Sequence, residues 1–318
     1  MVVISDILVQ GAQMLLVLLL APLLTGFVRK IKARLVRRRG ASVFQPYRDL
    51  LRLLRKEVVL AENASWLFRV TPYITFAAIW VAAALVPTFA TGLLFNWTAD
   101  LIAIVALLGS ARFFLALAGM DVGTSFGGIG SSREMMIASL AEPAMLLIVF
   151  TVALVAGTTQ LSAIATVFST GSVGLRVSLA LGMFAFVVVA TAENARIPID
   201  NPATHLELTM VHEAMVLEYS GRHLAMIEAA AAVKLVLYFS LIVCLFVPFG
   251  IAGPDAGVAA FAFGILAYLV KLVVLAVLLP IGETSVAKMR VFRYPIFVGS
   301  AFAAAALAVF LLFVSQGF

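Results

Sequence analysis

The chain has 318 residues, of which 64% are hydrophobic and only 12% charged, and its mean hydropathy is +1.13. So few polar side chains cannot cover a water-facing surface. The composition therefore excludes an ordinary soluble domain and predicts a polytopic membrane protein. The net charge of +6 does not indicate nucleic-acid binding, because most basic residues lie between Arg29 and Arg69, next to a predicted membrane span.

The apolar runs are continuous and do not alternate, which favours membrane helices over a β-barrel. A window of about 20 apolar residues per span predicts an all-α, polytopic fold with about eight transmembrane helices. No soluble domain remains, so residues 1–318 are predicted to form a single transmembrane domain. The chain shows no convincing internal repeat, which counts against a secondary transporter. The predicted helices cover residues 3–28, 66–90, 97–120, 134–157, 175–193, 223–249, 258–280 and 294–315.

The distribution of lysine and arginine predicts the orientation of the chain. These residues are concentrated in the connections that follow the first, third, fifth and seventh predicted helices. The positive-inside rule places those connections in the cytoplasm, so both termini are expected on the outer face. The connection after the third helix contains the glycine-rich stretch SFGGIGSS. It has no phosphate-binding lysine and is predicted to be a flexible turn.

The first connection, residues 29–65, is strongly basic. After Pro46, leucines alternate with basic residues that include Arg48 and Arg52, a pattern typical of a helix lying in the membrane interface. Two interpretations stay open. The connection either anchors the chain by its positive charge or forms a docking surface for a cytoplasmic partner.

Ionisable residues inside the predicted spans are candidates for function, because a charge at mid-bilayer costs about 2.5 kcal/mol or more unless it is paired, neutralised or hydrated. Glu142 precedes Pro143, which lacks a backbone donor, so a local break that could bind water is expected there. The alternative is a protonated Glu142 that bonds a neighbouring helix. Lys271 lies near the middle of its span and Lys234 lies within another, where partial snorkelling is the alternative. If buried, both need carboxylate partners or a lowered pKa. Arg112 is close enough to a helix end that snorkelling to the interface is expected.

The connection at 194–222 concentrates ionisable groups. Two prolines around Asp200 predict a turn, and a helix is predicted over about 204–221. On such a helix Glu207 and Glu218 are eleven residues apart, so their carboxylates lie on one stripe about 16 Å apart. Like-charged acids in a low-dielectric groove raise one another's pKa values, and glutamates shifted toward neutrality can take up and release protons. The alternative is an amphipathic cytoplasmic helix with a solvated acidic face.

On the same helix His205 and His212 form a second stripe, and Arg222 follows Glu218 by four residues and could pair with it. Two histidines without a clear third ligand do not predict a metal site. The chain has one cysteine, Cys244, and therefore cannot by itself hold an iron–sulfur cluster or a cysteine-ligated metal. No catalytic residue, cofactor or metal is predicted within this chain.

The stretch AENARIPIDNPATHLELTMVHEAMVLEYSG, residues 192–221, resembles the signature of the membrane subunit of formate hydrogenlyase and related group 4 energy-converting [NiFe]-hydrogenases. That protein is homologous to subunit 1 of respiratory complex I. The resemblance extends over nearly the whole chain. It includes QPYRDLLRLLRKE after the first helix, a glutamate in the fourth, a lysine in the seventh, and KMRVFRYP before the eighth.

The resemblance implies a non-catalytic, multi-pass subunit of the cell (inner) membrane that anchors a soluble electron-transfer arm and begins a glutamate-lined proton path. Implied partners are hydrogenase-like large and small subunits, an iron–sulfur subunit and antiporter-like membrane subunits, which would carry iron–sulfur clusters and a NiFe centre. The path it implies consists of Glu142, Glu193, Glu207, Glu213, Glu218, Glu228, Lys234 and Lys271. The implied docking surface and cytoplasmic mouth consist of Arg196, Asp200, His205, His212, Arg222, Arg48 and Arg52.

Two other functions are considered. The first is a quinone-chamber subunit of an NADH:quinone oxidoreductase-type complex; the segment ATHLELTMVHEAMVL is longer than its complex I equivalent, which counts against quinone binding. The second is a stand-alone ion carrier, against which the missing repeat counts.

Overall fold

The computed structural model describes residues 2–92, 94–170, 176–196, 210–253, 256–286 and 293–316. Within these ranges the protein consists of helices and connections, without a named β-strand. The helices are α1 (Val2–Leu35), α2 (Gln45–Leu54), α3 (Trp66–Leu85), α4 (Leu101–Asp121), α5 (Ser125–Ala156), α6 (Leu161–Ser169), α7 (Val177–Glu193), α8 (His212–Val216), α9 (Gly221–Phe246), α10 (Val258–Ser285) and α11 (Tyr294–Gln316).

The predicted membrane spans are confirmed as helices. α1, α3, α4, α5, α9, α10 and α11 are long and apolar enough to cross a membrane. The remaining predicted span is α7, which has 17 residues and is therefore only about 25 Å long. The protein is thus an all-α, multi-pass membrane protein, and the outward orientation of both termini stays a prediction.

The start of α5 differs from the prediction. SFGGIGSS was predicted to be a flexible turn, but it forms the first turns of α5, with Thr124 as the N-cap whose side chain accepts a hydrogen bond from the Gly127 amide. The glycines are needed for close packing. A Cβ atom on Gly127 would lie 2.1 Å from the carbonyl oxygen of Gly119 in α4, and one on Gly130 would lie 2.9 Å from the Ala214 side chain in α8. The glycine-rich stretch therefore seats α5 against its neighbours.

α9 is the central helix of the bundle. Its side chains are buried along most of its length, and it packs against α1, α2 and α3. α10 is the opposite case, because large apolar side chains such as Phe263, Leu266 and Val270 remain exposed. Such a surface suits lipid or another membrane subunit.

The basic connection contains the predicted helix, α2, which begins next to Pro46. It packs beside α1, where the Tyr47 hydroxyl donates to the carbonyl oxygen of Leu19. Leu51 and Leu54 are exposed together with Arg48 and the other basic residues. The helix is confirmed, and its location in the membrane interface stays a prediction.

The prediction of one continuous helix over 204–221 is wrong in its described part. Residues 210–211 are not helical, α8 spans only His212–Val216, and the chain leaves the helix again at 217–220. The i,i+4 pairing predicted for Glu218 and Arg222 needs a continuous helix and is therefore lost. Residues 197–209, with Asp200, His205 and Glu207, lie outside the described residues.

Tertiary contacts of the EYSG motif explain this break. The Tyr219 ring stacks on Phe68 with 3.9 Å between ring centroids, and its hydroxyl donates to the Phe68 carbonyl oxygen over 3.1 Å. Burial, assisted by the negative charge of Asp121, raises the pKa of Tyr219, so the hydroxyl stays a protonated donor. Tyr219 thereby fixes the segment before α9 to the start of α3.

The next two residues of the motif fix the same segment to the connection between α2 and α3. The Ser220 hydroxyl accepts from the Val59 amide over 2.8 Å and donates to the Val59 carbonyl oxygen over 2.9 Å. Gly221 has φ = 53°, and a Cβ atom there would lie 2.4 Å from the Glu57 carbonyl oxygen. Only glycine fits a left-handed backbone pressed this closely against another backbone.

We expect Gly127→Ala to destabilise the protein, because its Cβ would meet the backbone of α4, an overpacking that costs about 1–3 kcal/mol. Gly128→Ala is the matched control, since a Cβ at Gly128 has nothing within 4 Å and alanine favours the helix. The thermal unfolding midpoint of the detergent-solubilised protein should fall in the first variant only. Equal midpoints for the two variants would contradict the close α4–α5 contact.

Candidate functional site

Arg112, near the middle of α4, is the centre of a buried cluster of charges. Its side chain is only 5% exposed, and its guanidinium faces three carboxylates. Nη1 lies 3.2 Å from Glu142 Oε1, Nε lies 3.6 Å from Glu134 Oε1, and Nη2 forms an ion pair with Glu193. The acids come from α5 and from the end of α7, so this single cation joins three helices.

Lys234 of α9 extends the cluster. Its ammonium lies 3.0 Å from Oε2 of Glu193, while the other oxygen of that carboxylate pairs with Arg112. The Glu193 side chain is 2% exposed, so it sits between two cations in a place without bulk water. Pairing of this kind is what makes buried charges tolerable in a membrane.

The acids differ in their access to the surroundings. Glu142 is 44% exposed, whereas Glu134 and Glu193 are nearly buried. Beside Arg112 lies a narrow cleft between Glu142, Glu193 and Tyr238, with space for roughly a single water molecule. The cluster therefore contains an accessible acid, Glu142, and a buried acid, Glu193, and both line the small cleft.

Gly109 of α4 lies beside the accessible acid. A Cβ atom at this position would lie 3.5 Å from Glu142 Oε1. α5 continues through Pro143 to Ala156, so the predicted local break does not end the helix. Pro143 still has no backbone N–H, so one helical hydrogen bond of α5 is missing at this site.

A second buried acid lies at the end of α10. The Glu283 side chain is 1% exposed, its Oε2 lies 2.6 Å from Lys32 Nζ in α1, and its Oε1 lies 3.7 Å from Arg196 Nη1. Burial lowers the pKa of Arg196, the Glu283 charge opposes this shift, and the charge of Arg29 adds to it. Arginine nevertheless stays protonated in proteins, so Arg196 holds Glu283 by charge. Arg196 follows Glu193 by three residues, which places this ion pair next to the Arg112 cluster along the chain.

The sequence predicted some of these residues and missed others. Glu142, Glu193 and Lys234 were predicted for one path, and the structure brings them together. Snorkelling of Arg112 is wrong, because the structure buries its side chain among acids. Glu134 was missed because the predicted helix begins at that residue, whereas α5 begins nine residues earlier. Glu283 was missed because its partners are distant in sequence.

Other predicted path residues lie elsewhere. Glu213 and Glu218 are exposed in and beside α8. Glu228 lies on the exposed side of α9, within electrostatic range of Arg29 and Glu213. The Lys271 ammonium donates to the carbonyl oxygens of Val247 and Phe249, just after the far end of α9. These four residues stay predictions for the path, and the described contacts join none of them to Arg112.

The predicted docking residues lie outside the Arg112 cluster as well. Arg48, Arg52 and Arg222 are exposed, and His212 begins α8. Arg52 pairs with Asp49 on α2. Their role in docking stays a prediction.

A bundle of membrane helices that encloses a cluster of paired acids and bases defines a polytopic membrane protein with an internal charge network. The family model described as NADH dehydrogenase matches residues 9–314, which is nearly the whole chain. The chain belongs to this NADH dehydrogenase family.

Curated relatives and a solved structure agree with this assignment. The chain is 34% identical to Hydrogenase-4 component C of Escherichia coli (strain K12) over 279 residues, covering 88% of this chain and 87% of the relative. It is 33% identical to Formate hydrogenlyase subunit 4 of the same organism, covering 87% and 89%. It is 31% identical to NADH-quinone oxidoreductase subunit 8 of Rhodothermus marinus, covering 72% and 69%.

The fold matches a chain of the membrane-bound sulfane sulfur reductase, an archaeal respiratory membrane complex. The TM-score is 0.80 at 18% identity, and the match covers 96% of this chain and 99% of that chain. Such a distant likeness establishes the fold alone. The sequence resemblance to formate hydrogenlyase and to subunit 1 of complex I is confirmed by the curated relatives, which are components or subunits of multi-subunit complexes.

We expect Arg112→Leu to destabilise the protein by about 3–5 kcal/mol, because removing one partner leaves buried acids uncompensated. Adding Glu193→Gln should restore part of this loss, since it removes one uncompensated charge. The two single variants and the double variant form a cycle that thermal unfolding of the detergent-solubilised protein can measure. Strictly additive effects would show that Arg112 and Glu193 do not interact.

Proposed function

We propose that this chain is the integral membrane subunit of a complex I-like energy-converting hydrogenase of the formate hydrogenlyase type. In this role it anchors a soluble electron-transfer arm and links redox chemistry to proton or ion translocation. The similarity to a hydrogenase-4 component and a formate hydrogenlyase subunit along most of the chain supports this proposal. The observation that carries the ion-translocation part is the double pairing of Glu193 with Arg112 and Lys234.

The charge balance of the Arg112 cluster suits proton transfer. Three carboxylates face two cations, so the fully ionised cluster carries one net negative charge. Binding of one proton makes it neutral, which a low-dielectric site favours. Glu142 is the acid of this cluster most open to the surroundings of the bundle, and Glu193 connects the cluster to Lys234 in α9.

The position of Glu193 links this cluster to the proposed docking side. Glu193 is the last residue of α7, and Arg196 beyond it is paired with the buried Glu283. A movement of the 194–196 segment caused by a docked partner would therefore move Glu193 relative to Lys234. Such coupling requires that the partner bind two positions of this segment with different free energies.

The partners, cofactors and location follow as part of the proposal. Hydrogenase-like large and small subunits and an iron–sulfur subunit would form the soluble arm and carry the iron–sulfur clusters and the NiFe centre. Antiporter-like subunits would continue the ion path within the cell (inner) membrane. The basic residues of α2, among them Arg48 and Arg52, and the exposed acids of α8 provide charges of both signs for docking.

A quinone-chamber subunit is the second candidate, and the 31% identity to an NADH-quinone oxidoreductase subunit is the observation that favours it. Both candidates use the same fold and charge cluster. They differ in whether the docking side encloses a quinone. The dependence of the complex's activity on quinone therefore distinguishes them.

We expect Glu193→Gln to abolish most ion translocation while the complex still assembles and transfers electrons, because the amide leaves two acids facing two cations and thus removes the excess negative charge that binds the proton. Glu62→Gln is the matched control, since Glu62 is exposed and outside the cluster. The measurement is acidification inside inverted membrane vesicles together with hydrogen evolution from a reduced dye. Full acidification by Glu193→Gln at normal electron-transfer rate would refute the assignment.

We expect the purified complex to contain iron and nickel and to turn over at an unchanged rate when quinone or a chamber inhibitor is added. Elemental analysis and activity assays of the detergent-solubilised complex test this. Iron without nickel, together with inhibitor sensitivity, would favour the quinone candidate. Purification of the chain alone, without metal-containing subunits, would instead indicate a stand-alone carrier.

A further inference from the structure

A basic and aromatic corner lies where α3 and α9 begin, away from the Arg112 cluster. We define the α3–α9 corner as Trp66, Arg69 and Tyr73 of α3 with Arg222 and His223 of α9. Trp66, Arg69 and Tyr73 follow one another at helical spacing, and all three are exposed. Aromatic and basic side chains at the first turns of membrane helices occupy the height of lipid headgroups.

His223 is the buried member of this corner. It is 6% exposed, and its Nδ1 atom has no hydrogen-bond partner among the described residues. Its ring lies edge-on to Tyr73, with 5.6 Å between centroids, and both Arg69 and Arg222 are within electrostatic range of it. A buried polar atom without a partner is rare and calls for an explanation.

The two guanidinium groups are also without an acidic partner. Neither Arg69 nor Arg222 forms an ion pair with a carboxylate in the part of the chain that the structure describes. The nearby Asp121 carboxylate instead accepts from the backbone amide of Ser65 over 2.9 Å. The corner therefore carries two positive charges that its own residues do not balance.

The N-terminus of α9 adds a further attraction for an anion. Its N-cap, Ser220, makes no capping hydrogen bond with its side chain, because that hydroxyl is bound to Val59. The Ser220 side chain therefore does not cap the first amides of α9, and the helix dipole favours a negative charge there.

We propose that the α3–α9 corner binds the phosphate of an anionic membrane lipid. The phosphate lies between Arg69 and Arg222 near the start of α9, and Trp66 and Tyr73 contact the glycerol and upper acyl region. The lipid is a better match than a free anion because the aromatic side chains flank the basic ones on an exposed face of a membrane helix.

The test is lipid binding to the purified, delipidated complex, followed by native mass spectrometry. The probes are dioleoylphosphatidylglycerol, dioleoylphosphatidylcholine and inorganic phosphate at equal concentration. Arg69→Gln combined with Arg222→Gln should weaken phosphatidylglycerol binding about twenty-five-fold, taking about fivefold per arginine near an anionic headgroup. Arg38→Gln combined with Arg39→Gln is the control. Arg38 and Arg39 are exposed in the basic connection, and their substitution removes the same charge away from the corner.

The double variant Arg69→Lys with Arg222→Lys controls for a general loss of folding. It keeps both positive charges and should therefore retain most of the phosphatidylglycerol binding. A loss of phosphatidylglycerol binding that occurs only in the double variant Arg69→Gln with Arg222→Gln supports the proposal. Equal losses in the corner and control pairs would overturn it in favour of general charge attraction. Equal binding of phosphatidylcholine, or displacement of the lipid by inorganic phosphate, would also overturn it.

Discussion

The structure depends on a carboxylate held between two cations where water is scarce. Glu193 pairs with Arg112 through one oxygen and with Lys234 through the other, and these contacts join α7 to α4 and α9. Burying such charges is costly unless each has its partner. With Glu134 and Glu142 of α5, the cluster holds four helices in one arrangement, while its single excess negative charge leaves a place for one proton. Stability and the proposed proton transfer therefore come from the same contacts.

The surrounding packing keeps this cluster close to the proposed docking side. Gly127 and Gly130 let α5 approach α4 and α8 more closely than any side chain would allow, which brings Glu134 and Glu142 to Arg112. The Tyr219, Ser220 and Gly221 contacts fix the start of α9, and with it the helix that carries Lys234. Because α5 and the start of α9 are held by these contacts, the 194–196 segment is the place where a docked partner is proposed to cause a movement. The acid that would respond, Glu193, is directly adjacent to it in sequence.

The sequence predicted the fold well and the site only in part. Apolar runs identify membrane helices because the bilayer requires about 20 such residues per span, and all eight predicted spans contain one helix. Glu142 and Lys234 were found because charges in lipid are unusual. Their pairing could not be predicted in the same way, because it depends on tertiary contacts: Glu193 was implied only by the family resemblance, Arg112 was expected to snorkel, and Glu134 was missed. The predicted helix over 204–221 failed in its described part for a related reason, because the break at 217–220 is set by Phe68 and Val59, which lie far away in the chain.

The proposed function requires that the Arg112 cluster take up and release one proton as the proposed redox arm turns over. Infrared difference spectroscopy of the reduced against the oxidised complex tests this directly, because a protonated carboxylic acid has a C=O stretch that a carboxylate lacks. We expect a carboxylic-acid band that changes on reduction, shifts in heavy water and disappears in Glu193→Gln. A difference spectrum without such a band, or a band that remains in Glu193→Gln, would refute this proton transfer.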